Sequence, residues 1–140
     1  MSAPAPESAL VVLAPEAEPM VKAYRDEHDP AAAVGVPAHL TVLYPFLLPD
    51  VPPAAAARLT ALFAACAPFD YTLSELGRFP GVLYLAPEPA EPFRSLTLRV
   101  AHAFPDFPPY GGRHEHIIPH LTIANLDDEA RLDEIGRAHV

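Results

Sequence analysis

"FDYTLSELGRFPGVLYLAP", residues 69–87, decides the fold class of this 140-residue chain. Two runs rich in Leu, Tyr, Phe and Val flank Pro80-Gly81, the pattern of two strands folded back by a tight turn. A hairpin interrupts any series of parallel strands joined by crossover helices. The chain therefore reads as α+β rather than as a doubly wound sheet.

Strand and helix patterns alternate on either side of it. The β-branched run at 9–15 ends in a proline, and 38–46 and 117–126 are further apolar runs of strand type. Helical spacing marks 18–29 (Val21, Tyr24, His28), 52–66 (Leu59, Leu62, Phe63, Cys66) and 91–104 (Phe93, Leu96, Val100, Phe104). A last helix, 127–140, opens on an aspartate cap and carries Leu132 and Ile135. The expected order is β-α-β-α-β-β-α-β-α, with helices over one side and the other side left available. His28, among acidic neighbours, reads as a solvated helix end, and Cys66 as a buried small hydrophobe.

The length suits one domain, residues 1–140, with a sizeable core. Half of the residues are apolar, which argues against disorder. The 19 prolines fall between the periodic segments, where they mark loops and first helical turns. Eighteen acidic against nine basic side chains give a net charge of −9, a surface that repels a long phosphate backbone. Any nucleic-acid partner is then a terminus, a short oligomer or a nucleotide in a local pocket, not a long duplex. A single cysteine permits no internal disulfide, and "ALVVLA" is too short for a membrane span or a signal segment. Both features point to a cytoplasmic protein with no membrane partner.

Two stretches carry the chemistry. "AHLTVLYPF" (38–46) and "PHLTIANL" (119–126) each place His-Leu-Thr and a β-branched residue inside an apolar strand, with a proline just upstream. Seven His and five Thr in 140 residues predict only about 0.25 His-x-Thr pairs by chance. Two are present, in the same context, and each lies between two helices. That is the mark of an internal duplication in which each half donates a strand to a common site. Alternation in a strand sets His39 beside Thr41, and His120 beside Thr122, with the leucines facing the other way.

These residues resemble the paired H-x-T signatures of the 2H phosphoesterase superfamily, the 2′-5′ RNA ligase-like and cyclic-phosphodiesterase proteins. Element order and motif spacing extend the resemblance over most of the chain. It implies a bilobal α+β fold, with antiparallel sheets around a central cleft. It also implies cofactor-free, metal-free chemistry on 2′,3′-cyclic or related phosphodiesters of nucleotides or RNA ends. His39 and His120 would be the catalytic acid–base pair, and Thr41 and Thr122 would bind the phosphate. Family members usually continue into a further strand after the last helix, so the resemblance implies one strand fewer in a chain that stops at Val140.

The chemistry suits the residues. Opening a cyclic phosphodiester takes a proton from water and gives one to the departing ribose oxygen, and imidazoles exchange protons near neutral pH. A hydroxyl beside each ring can donate to the equatorial oxygens. Alternation places Tyr44 in the core, Tyr84, Phe46 and Tyr110 are candidates for base stacking, and Arg78 and Arg113 for phosphate contacts. Two other readings use the same segments. His114, His116 and His120 form a three-imidazole zinc set, although Pro119 and Gly111-Gly112 interrupt a continuous face. Alternatively, the cleft binds a nucleotide or RNA end without turnover.

Overall fold

The computed structural model describes residues 9–44, 46, 51–107 and 117–138. Five strands are present: β1 (Leu10–Leu13), β2 (His39–Leu43), β3 (Thr72–Phe79), β4 (Val82–Glu88) and β5 (Leu121–Asn125). The helices are α1 (Glu18–His28), α2 (Pro30–Ala33), α3 (Pro53–Ala64), α4 (Glu91–Ala103) and α5 (Glu129–Ala138). β1 pairs with β2, and β3-β4-β5 form a second, antiparallel sheet. The α+β class follows, with the expected elements in the expected order along the chain, although β5 begins only after His120.

The hairpin forms where the sequence puts it. Phe79 pairs with Val82, and Gly81 takes a left-handed φ of 74° between them. Proline at the first central position presets the turn, and glycine accepts the positive φ that a side chain would oppose. The turn is fastened on both sides: Leu126 N donates to Gly81 O at 2.9 Å, and Gly81 N donates to Glu129 Oε1 at 2.9 Å. Arg78 pairs with Glu129 and Asp133 on α5, so this arginine is committed to the scaffold. Asp128 caps α5, accepting from Arg131 N at 3.1 Å.

Two segments gain structure beyond the sequence expectation. Pro15–Ala17 forms a 3-10 turn that leads into α1. α2 follows directly after α1, because Asp29 turns the chain and its Oδ1 accepts from Ala31 N at 3.0 Å, with Pro30 at the first helical position. His28 is accordingly half-buried rather than solvated, with its Nε2 shut away 3.6 Å from Glu27 Oε2.

The chain divides into two units, neither of them a sequence half. Within the described residues, one unit contains Thr41–Leu43 of β2, α3 and α4. Its buried side chains include Val42, Leu43, Phe46, Leu59, Phe93 and Val100. Phe46 meets Phe104 edge-on at 5.2 Å, and Phe69 meets Phe93 likewise at 5.2 Å. Phe46 is therefore core, not a stacking platform. Cys66 lies past the end of α3 and is half-buried, not buried as expected. Its thiol donates to Leu62 O at 3.4 Å, and Arg99 Nη1 lies 3.5 Å from the sulfur.

The other unit contains α1, α2, the three-stranded sheet and α5. Leu83, Leu85, Leu121, Ile123, Leu132 and Ile135 are buried there. α1 packs against β5, and α5 against β4. No helix among the described residues is long and apolar enough to cross a membrane.

Within the first unit, buried Thr97 of α4 donates its hydroxyl to Val42 O of β2 at 2.6 Å. Thr97→Val keeps the shape and leaves that carbonyl without its donor. We expect a loss of about 1–2 kcal/mol in unfolding free energy, measured by urea denaturation.

Candidate functional site

The two H-x-T segments share one burial pattern. In β2, His39 and Thr41 are half-buried, while Leu40, Val42 and Leu43 are buried. At β5, His120 and Thr122 are half-buried, while Leu121, Ile123 and Ala124 are buried. The strand pleat explains both sequences: the leucine and the β-branched residue go to the core, and the imidazole and hydroxyl go to the more open face. Tyr44 departs from expectation. The burial alternation ends at Val42, since Leu43 is buried too, β2 ends at Leu43, and Tyr44 is 42% exposed.

His39 opens β2 and is held by a backbone bond. Its Nδ1 lies 2.8 Å from Pro37 O. A carbonyl only accepts, so Nδ1 carries the proton in this bond and Nε2 is the nitrogen left for other partners. Arg25 and Glu18 of α1 brace the segment that supplies this carbonyl. Arg25 Nη2 donates to Val36 O at 2.9 Å, and Ala38 N donates to Glu18 Oε1.

His120 immediately precedes β5 and is held by rings. Phe79 meets it edge-on with centroids 5.1 Å apart, and Tyr84 lies 5.4 Å away. Phe79 and Tyr84 themselves stack at 4.5 Å. Tyr84 also sits opposite Thr122 in the β4–β5 register. Tyr84 is thus 9% exposed and forms a wall of the His120 environment rather than an open stacking surface. Neither Tyr84 nor Phe79 was legible as a neighbour of His120, because only the antiparallel register brings them together.

The structure brings His120, Thr122, Tyr84 and Phe79 together, and holds His39 through the segment braced by α1. The boundary between the two units falls between Leu40 and Thr41, so His39 and His120 belong to one unit and Thr41 to the other. Tyr110, Arg113, His114 and His116 lie outside the described residues, and with them most of the three-imidazole zinc set.

A family model described as the 2'-5' RNA ligase superfamily matches residues 12–139. The chain belongs to this superfamily, that of the 2H phosphoesterases. Membership implies an enzyme acting on phosphodiester bonds. No curated protein matches the chain.

Gly77 lies opposite Tyr84, and a Cβ there would come within 2.3 Å of the Tyr84 ring. The ring lies over the space that glycine leaves. Gly77→Ala should displace Tyr84, lower stability by roughly 1–3 kcal/mol and shift the imidazole C–H resonances of His120 in proton NMR.

Proposed function

We propose that this protein is a metal-independent phosphodiesterase acting on 2′,3′-cyclic phosphates or 2′-5′ phosphodiesters of nucleotides or RNA ends. The observation that carries this reading is the repeated half-buried His and Thr on buried-Leu strands, found at both H-x-T segments of a superfamily member. His39 and His120 form the acid–base pair, and Thr41 and Thr122 bind the phosphate.

For a cyclic phosphate, one imidazole takes a proton from water as the water oxygen bonds to phosphorus. The bond from phosphorus to one ribose oxygen breaks, and the other imidazole, protonated, delivers its proton to that oxygen. The products are a phosphomonoester and a free hydroxyl, and a proton shift between the two rings resets the pair. Threonine hydroxyls donate to the equatorial oxygens, where negative charge builds in the transition state. The Nδ1 bond to Pro37 O supports Nε2 as the working nitrogen of His39. With a single cysteine in the chain, the reading places the activity in the cytoplasm.

The test is hydrolysis of 2′,3′-cyclic nucleotides and cyclic-phosphate RNA ends in the presence of chelator. His39→Ala and His120→Ala should each lower kcat by about 10²–10⁴-fold. Near-full activity in both variants would refute the assignment. Activity that disappears on chelation would favour the zinc reading instead, and binding by calorimetry without product would favour a binding module.

A further inference from the structure

Arg25 is the unexpected residue of α1. A helix position flanked by Asp26 and Tyr24 reads as ordinary surface, yet Arg25 is only 2% exposed. Burying a guanidinium is costly unless partners surround it. Here Nε donates to Asp29 Oδ2 at 3.0 Å, Nη2 donates to Val36 O at 2.9 Å, and Nη1 lies 3.6 Å from Glu18 Oε1. Asp29 is itself 7% exposed and also caps α2.

The backbone of residues 36–38 is fully allocated by this arrangement. Val36 N donates to Ala31 O at 3.0 Å, and Val36 O accepts from Arg25. Ala38 N donates to Glu18, and Ala38 O accepts from Ala14 N at 2.9 Å. Pro37 has no N–H to give. Of the three carbonyls, Val36 and Ala38 are taken by Arg25 and Ala14, and that of Pro37 is turned to the His39 ring at 2.8 Å.

We infer that Glu18 and Arg25 are positioning residues for His39: by fixing the backbone from Val36 to Ala38, they aim the Pro37 carbonyl at Nδ1 and keep the lone pair of the neutral ring on Nε2. The inference rests on His39 being an acid–base residue only for its effect on rate. Its effect on the ring stands apart from any activity. Glu18 carries the part that can be removed most cleanly, since a glutamine there still offers an oxygen to Ala38 N–H while losing the charge.

The experiment is nitrogen-15 NMR of the His39 ring in the full chain, with turnover of a 2′,3′-cyclic nucleotide measured alongside. Wild type should show the Nδ1–H tautomer, whereas an imidazole free in water favours Nε2–H. Glu18→Ala should move the ring toward Nε2–H and lower kcat by about 10–100-fold with KM little changed. Glu18→Gln should restore both. Arg25→Lys, which keeps a charge but cannot fork between Asp29 and Val36, should reproduce the tautomer shift. A wild-type ring in the Nε2–H form, or a Glu18→Ala ring unchanged from wild type, would overturn the inference. A tautomer shift in a protein whose His39→Ala variant is fully active would instead leave the positioning intact and refute the catalytic role.

Discussion

A strand turns successive side chains to opposite faces, and a polar pair two residues apart must share a face with whatever that face meets. This constraint governs both H-x-T segments. Leu40 and Leu121 are 1% and 0% exposed, so neither strand can slip by one position without driving leucine outward and burying a histidine. The core residues therefore fix which way the imidazoles face. Binding chemistry need not select that orientation, because hydrophobic burial already enforces it.

The two H-x-T segments share a strand pattern but not its support. His39 is braced by a polar network in which a buried cation, two carboxylates and three backbone groups are mutually satisfied. His120 is flanked by Phe79 and Tyr84, with Gly77 leaving room for the tyrosine ring. The Pro37 carbonyl sets the tautomer of the His39 ring as well as its direction, and Phe79 and Tyr84 set the direction of the His120 ring. On the proposed mechanism the two imidazoles have different tasks, and unlike settings suit those tasks better than identical ones.

Local pattern made most of the fold legible. The Pro80-Gly81 turn, the i, i+3, i+4 stripes and the apolar runs each depend on residues close in sequence, so element order could be read directly. The failures lie where elements end or meet. His28 reads as a solvated helix end until α2 follows directly on Asp29, and Cys66 reads as core until α3 ends before it. Tyr84 looks like a free aromatic until β5 pairs with β4. Alternation predicted the like burial of His39 and Thr41 but misplaced Tyr44, which lies past the end of β2 where the pleat no longer sets its side.

Charge bears on the ligand that such a site can hold. Lys22, Arg25, Arg78, Arg94 and Arg131 each sit against a carboxylate of their own chain. Cations already matched in this way have little to offer a phosphate, and the net charge of −9 disfavours polyanions. On the proposed function, attraction to the phosphate comes from a protonated imidazole and from neutral donors such as threonine hydroxyls, which act only at hydrogen-bond range, while Arg58 lies over the Phe104 ring and Arg99 beside Cys66. One imidazolium balances one negative charge. A phosphodiester carries a single negative charge, and a cyclic one gathers more only as it is attacked, when the hydroxyl dipoles become most valuable. On that proposal a long strand gains no comparable advantage, since its further phosphates meet a chain of net charge −9.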